Sequence, residues 1–281
     1  MATILDGKVE AQKIKDALKH KAATLQKKPC LAIVLVGQNP ASLVYVSGKE
    51  KALKEVGFLC QRHNLPESIS EVELIGVVEK LNNDKDVHGI LVQLPLPKHI
   101  DKELVIDMMR PDKDVDGFSP VNMGALFVGK GIFVPGTPKG IIKLIESTGV
   151  PMEGKHAVVV GRSNIVGKPV AALLLEKNCT VTICHSKTKN LQDYTLQADI
   201  LIAAIGKAGM IKGHMIKHGA IVIDVGINRL PGGVLAGDVD FESASKVAGH
   251  ITPVPGGVGP MTIACVLENT MLAYERQKSA Q

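Results

Sequence analysis

The chain has 281 residues, which at about 150 per domain suggests two domains or one large one, and its 45% hydrophobic and 22% charged residues support a full core. Its net charge of +5 comes from lysines and arginines scattered along the chain; with only 3% aromatics and no tryptophan, this argues against nucleic acid as a partner. Cys30, Cys60, Cys179, Cys184 and Cys265 are odd in number and show no CxxC spacing, which argues against a disulfide framework and a zinc site; no metal is expected. No signal-like segment opens the chain and no run reaches the ~18 apolar residues of a membrane span, so a cytoplasmic protein without a membrane partner is expected.

Apolar residues at helical spacing over 8–27 (Val9, Ile14, Leu18, Ala22, Leu25) predict an opening helix. Leu31–Val36 reads as a buried strand, Asn39-Pro40 as the start of a helix running to about Val56, and Phe58–His63 as a strand. A helix over 70–82, a strand over His88–Leu94 and a short helix over 101–109 follow. Strands alternating with helices of this size indicate βαβ units and a parallel sheet. Pro111 to Pro138 is rich in proline and glycine, and 139–148 reads as a connecting helix. After Pro151 come strands at 156–160, 180–184, 199–205 and 220–225, a helix at 168–177, a turn at Gly232-Gly233, a loop from Pro253 to Pro260 and a final helix at 261–276.

In the second half, a buried strand ends at Gly161, and Gly167 opens a helix six residues later. Glycine allows close backbone approach to a diphosphate, and a helix N-terminus offers it free N–H groups. The turn departs from GxGxxG, with Ser163 at the middle glycine and one extra residue. The next strand ends in Cys184-His185-Ser186-Lys187-Thr188, without the carboxylate that NAD sites place about 20 residues on. A basic, hydroxyl-rich turn within reach of Arg162 favours NADP instead.

In the first half, Ser42, Tyr45 and Lys49 fall at i, i+3 and i+7, on one helix face. Gln93 lies at the carboxyl end of a buried strand, the edge where α/β sheets bind ligands. Asp112, Asp114 and Asp116 are too tightly spaced for an EF-hand, which takes about twelve residues, so hydrogen-bonding carboxylates are the better reading.

Seven segments, in order, resemble the bifunctional methylenetetrahydrofolate dehydrogenase/methenyltetrahydrofolate cyclohydrolase family: SLVYVSGKEK at 42–51, QLPLP at 93–97, PDKDVDGF at 111–118, GRSNIVGKP at 161–169, DVGIN at 224–228, GDVDF at 237–241 and TPVPGGVGPMT at 252–262. The resemblance implies an α/β fold of two domains with a cleft between them. Residues 1–138 form a folate-binding catalytic βαβ-type domain, and 139–261 a Rossmann-like NADP-binding domain with a parallel sheet. The last helix, about 262–281, packs back on the first domain. The family further implies that Lys49 carries cyclohydrolase chemistry, that Tyr45 packs against the folate and orients Lys49, and that Gln93 tunes the lysine. Asp116 is implied to hold the pterin edge. Ser42, Leu94, Pro95, Gly256, Gly257 and Pro260 join the substrate contacts, Gly256–Pro260 lining the cleft. Gly161, Arg162, Ser163, Gly167, Ser186 and Ile227 match cofactor contacts. Tetrahydrofolate derivatives are the implied substrates and a homodimer the implied assembly. Gly136 stands where the family commonly has cysteine, and nothing in the sequence accounts for Gly48 inside a helix.

The chemistry fits these residues. The bridge carbon of methylenetetrahydrofolate is bonded to two nitrogens whose lone pairs stabilise the cation left by oxidation, so that step needs alignment and no proton relay. None of the nine histidines lies in the seven segments. Hydrolysis of the methenyl cation is helped by a proton acceptor and donor, and a lysine beside that cation is disfavoured as ammonium. The sequence leaves open a dehydrogenase lacking the second activity, and an NADP oxidoreductase of another small substrate.

Overall fold

A computed structural model describes residues 1–279 and divides the chain into two compact units. The first holds residues 12–136 and the chain from Ile263 on; the second holds Met1–Ala11 and Thr137–Thr262. In chain order the first elements are β1 (Thr3–Ile4), α1 (Gly7–Ala23), β2 (Cys30–Val36), α2 (Pro40–Val56), β3 (Leu59–Leu65), α3 (Glu71–Asn83), β4 (Gly89–Val92), α4 (Lys102–Asp107) and α5 (Pro120–Phe127). They are followed by α6 (Gly136–Glu146), β5 (His156–Val160), α7 (Gly167–Glu176), β6 (Thr180–Cys184), α8 (Leu191–Thr195), β7 (Ile200–Ala203), β8 (Ile221–Asp224), β9 (Asn228–Arg229), β10 (Leu235–Ala236), α9 (Phe241–Ala244), β11 (His250–Ile251) and α10 (Val258–Ser279).

The first unit is built on a parallel sheet of order β3-β2-β4. Every residue of β2 is buried because helices cover both faces. Leu31, Ile33 and Leu35 point into a cluster with Val46 and Leu53 of α2 and Val266, Leu267 and Met271 of α10. Alternate residues Ala32, Val34 and Val36 meet Leu74, Val78 and Leu81 of α3 and Val105 of α4. Local chemistry bounds the helices. The Asn39 side chain accepts from the Ala41 and Ser42 amides at the start of α2, and Gly57, left-handed at φ 78°, ends it. Ser70 and Glu73 form a reciprocal capping box on α3.

The second unit carries a six-stranded parallel sheet of order β1-β11-β8-β7-β5-β6. From β5 the chain passes to β6 on one side and to β7 on the other, so strand order reverses at β5. Val158, Leu201, Val222 and Ile251 pack a core without aromatic side chains. The expected turn at Gly232-Gly233 joins β9 and β10 in an antiparallel hairpin, both glycines having φ near +80°.

Three differences from the sequence expectation have physical causes. Residues 1–11 belong to the second unit and not to a 1–138 domain, because Thr3–Ile4 add a parallel edge strand to β11. The segment from Pro111 to Pro138 is not all irregular. Ser119 caps α5 through the Asn122 amide and Pro120 supplies its first turn, where a missing N–H costs nothing. The opening helix stops at Ala23 and not at 27, since the Lys28 ammonium donates to the Ala22 and Leu25 carbonyls and closes the helix end.

Candidate active site

In the first unit α2 lays Ser42, Tyr45 and Lys49 along one side, and the end of β4 brings Gln93 to meet them. Lys49 is 8% exposed, and its Nζ donates to Gln93 Oε1 at 3.0 Å. The Gln93 amide nitrogen donates in turn to the Leu94 carbonyl at 2.8 Å, which fixes the oxygen toward the lysine. Burial pushes the Lys49 ammonium below its usual range, and the charge of Asp116 opposes that shift. The same burial raises the Asp116 carboxyl to about 6, against the pull of Lys49 and with the repulsion of Asp114. Amine and carboxyl are thus each driven toward the neutral form.

The three aspartates play different parts. Asp112 forms a two-point pair with Arg110, at 2.9 and 2.7 Å. Asp114 is fully buried and accepts from the Gly117 and Ser119 amides and from Asn122 Nδ2, which sets the loop that carries Asp116. Tyr45 is partly buried, and desolvation raises its phenol. Ser42 is 2% exposed and its Oγ is buried without a hydrogen-bond partner. Leu94 is partly buried and Pro95 exposed, joined by a cis peptide bond. A Cβ on Gly48 would make an ordinary 3.4 Å contact with Ile263, so nothing in the structure explains that glycine.

In the second unit the turn after β5 requires its two glycines. Gly161 sits at φ 135°, and a Cβ there would lie 2.2 Å from the Ala204 carbonyl oxygen; one on Gly167 would lie 2.3 Å from the Gly161 oxygen. Ser163, in place of a middle glycine, closes the turn: its hydroxyl accepts from the Val166 and Gly167 amides, and its carbonyl from Lys168. At the end of β6, Thr188 Oγ1 accepts from the His185 amide, which leaves Ser186 and Lys187 exposed, as Arg162 is. The close-packed glycine turn at the reversal of strand order, with cationic and hydroxyl side chains beside it and no carboxylate ending β6, fits a phosphorylated dinucleotide. Ile227 is 48% exposed just beyond β8. Gly256, at φ 113°, and Gly257 form the turn before α10, in which Pro260 is partly buried; a Cβ on Gly7 would strike the Gly257 carbonyl, so α1 begins against that turn.

Sequence reasoning passed over two buried carboxylates, Asp224 and Asp238. Asp224 accepts from the Gly226, Asp238 and Val239 amides, and Asp238 from the Ile205, Gly206 and Lys207 amides and Asn228 Nδ2. Both lie in quoted segments, and the glycine preceding or following each was the available signal. Among the described residues no group of three histidines, cysteines or carboxylates is arranged to hold a metal, and no helix is long and apolar enough to cross a membrane.

Residues 5–116 match the family model described as tetrahydrofolate dehydrogenase/cyclohydrolase, catalytic domain, and residues 135–278 match its NAD(P)-binding domain. The bifunctional protein FolD of Listeria innocua is 57% identical, covering 98% of both chains. The crystal structure of the bifunctional enzyme FolD, methylenetetrahydrofolate dehydrogenase/cyclohydrolase, from Campylobacter jejuni is 51% identical with a TM-score of 0.96, covering 98% of this chain and 100% of that one. The Trypanosoma brucei methylenetetrahydrofolate dehydrogenase-cyclohydrolase, complexed with NADP cofactor and an inhibitor, is 39% identical with a TM-score of 0.95 over 98% of both chains. With both halves of the fold matched in order along nearly the whole length, the chain belongs to the tetrahydrofolate dehydrogenase/cyclohydrolase family.

Proposed function

We propose that this protein oxidises 5,10-methylenetetrahydrofolate to 5,10-methenyltetrahydrofolate with NADP and hydrolyses the product to 10-formyltetrahydrofolate. The observation that carries the reading is a lysine almost wholly buried, bonded to a fixed glutamine oxygen and electrostatically coupled to a carboxyl with a raised pKa. Such an amine gives up its proton more readily than an exposed lysine, which suits it to act as a base.

When bound, the dinucleotide supplies the two-electron acceptor for the first step. The turn from Gly161 to Gly167 takes its diphosphate, while Arg162, Ser186 and Lys187 take the 2′-phosphate and Ile227 packs beside the ring. No side chain has to remove a proton in this step, and the second unit presents no general base at the turn.

For hydrolysis, Lys49 in its neutral form takes a proton from the water that adds to the methenyl carbon. It then returns that proton to the ring nitrogen as the carbon–nitrogen bond breaks, and the adduct's hydroxyl proton passes to solvent as the formyl C=O forms. Gln93 holds Nζ in place through the 3.0 Å bond, so the lone pair points in one direction. Asp116 binds the pterin edge by hydrogen bonds, and Tyr45 packs on the folate; Leu94, Pro95, Gly256, Gly257 and Pro260 complete the substrate contacts, with Ser42 supporting them from within α2. The reading includes a homodimer in the cytoplasm, supported by the family likeness and by five free cysteines that suit a reducing compartment.

The test is a spectrophotometric assay of methylenetetrahydrofolate with NADP and with NAD, following methenyl formation and then its decay. Formation without enzyme-dependent decay would leave a dehydrogenase alone; neither signal would remove the folate reading.

A further inference from the structure

The loop after β7 turns its backbone toward a carboxylate of its own chain. The successive amides of Ile205, Gly206 and Lys207 all donate to Asp238, at 2.6, 2.9 and 2.9 Å. Asn228 Nδ2, at the base of the β9–β10 hairpin, adds a fourth bond at 2.8 Å. Three successive N–H groups turned toward one carboxylate, two onto Oδ2 and one onto Oδ1, make a concavity of the kind that binds anions. Here an internal carboxylate, fully buried, fills it.

Asp238 is itself held. Its amide donates to Asp224 Oδ1 at 2.8 Å, and the Val239 amide donates to Asp224 Oδ2 at 2.9 Å. Two glycines make room for these groups. A Cβ on Gly237 would lie 1.8 Å from Asp224 Oδ2, and one on Gly226 would lie 2.4 Å from Asp238 Oδ1. Burying two carboxylates side by side is costly unless charge-assisted bonds offset it, and an apolar pair would fill the same space more cheaply. What the carboxylates add is direction. The loop they hold starts at Ala204, whose carbonyl oxygen is the atom that a side chain on Gly161 would strike. The fixed loop and the Gly161 turn therefore meet backbone to backbone where the strand order reverses.

We propose that Asp238 is a positioning residue for the dinucleotide, an internal anion that occupies the amide concavity after β7. It holds that loop against Gly161 and the hairpin at Asn228, and leaves the Gly161–Gly167 turn as the place for the cofactor's diphosphate. The proposal rests on the cofactor reading above.

The test compares wild type with Asp238→Ala by NADPH fluorescence titration, by amide hydrogen exchange of residues 205–207 in cofactor-free enzyme, and by hydrolysis of supplied methenyltetrahydrofolate. The variant is expected to bind NADPH at least about tenfold more weakly, the loss of charge-assisted bonds being of that order, and to exchange those three amides faster. Hydrolysis, whose reacting and aligning groups Lys49, Gln93 and Asp116 lie in the other unit, stays at the wild-type rate. Added formate, a carboxylate small enough for the vacated space, slows the exchange and restores NADPH affinity in part. Unchanged NADPH affinity overturns the proposal, as does a folded variant that formate does not rescue. A parallel loss of NADPH binding and hydrolysis also overturns it, since that marks damage to the scaffold. If Asp238→Ala does not fold, Asn228→Ala, which removes one donor and keeps both carboxylates, is read the same way: weaker NADPH binding with hydrolysis intact supports the proposal, and unchanged binding overturns it. Wild type that binds no NADPH would sink the cofactor reading itself, a result distinct from equal binding by wild type and variant.

Discussion

Lys49 Nζ and Gln93 Oε1 lie 3.0 Å apart, joining a helix residue to the end of a strand 44 positions along the chain. That bond aims an amine that burial has made easier to deprotonate. Substituting Lys49→Met keeps the length and the apolar stem but removes the base. Hydrolysis of methenyltetrahydrofolate should fall by about 10²–10⁴-fold, the usual range for a lost general base, with NADPH affinity unchanged. Equal rates of methenyl decay in variant and wild type would remove Lys49 from the reaction.

In the proposed mechanism Asp116 sets the pH range in which that amine works. That mechanism requires neutral Lys49, so the rate should fall as pH drops through the lysine's lowered pKa. The Asp116 carboxylate raises that pKa. Asp116→Asn removes the negative charge, so the lysine should lose its proton at lower pH and the acid limb of the rate profile should move down. A pH–rate profile of the variant checks the sign; a limb moved up, or unmoved, contradicts the coupling.

Arg162 stands exposed beside the glycine turn, and no carboxylate ends β6 to receive a free ribose hydroxyl. Arg162→Ala should weaken NADP by roughly ten- to a hundredfold through loss of a charge-assisted bond, and NAD by much less. Dissociation constants for the two dinucleotides decide it, and equal losses would detach Arg162 from the 2′-phosphate.

Away from either site, His88 should make the fold sensitive to acid. It is 5% exposed, its Nδ1 accepts the Cys30 amide at 3.0 Å, and its ring packs edge-on against Tyr274 at 4.9 Å. Burial lowers its pKa to about 4, against about 6.5 when unfolded. The unfolded chain therefore binds the proton more readily. The contribution is fully present above pH 6.5 and is lost as pH falls toward 4, amounting to ~3 kcal/mol over that interval. Urea unfolding at pH 7 and pH 4.5 should show the drop, and His88→Asn, which can accept the same amide without titrating, should flatten it.

Much of this was legible where the controlling chemistry is local. Asn39-Pro40 announces α2 because a cap and a proline act within one turn, and Gly161 and Gly167 mark a backbone contact that only glycine permits. Ser42, Tyr45 and Lys49 share a face by helical spacing alone. Elements fixed by distant partners were not legible. Strands β1 and β11 are two residues each and exist because they pair across almost the whole chain length. Ser119-Pro120 is a helix start hidden in a segment whose composition resembles a loop. Asp238 looks in sequence like any surface carboxylate; only folding shows that four donors surround it.

The placement of α10 bears on how the protein is made. Val266, Leu267, Met271, Ala273 and Tyr274 close a core whose other members, from Leu18 to Phe133, are translated first. A ribosome adding about 5–20 residues per second delivers those later side chains only after the entire dinucleotide half has been synthesised. The earlier half must therefore wait with one apolar flank open, and a nascent chain halted before residue 263 would expose that flank to chaperones instead of completing a native core.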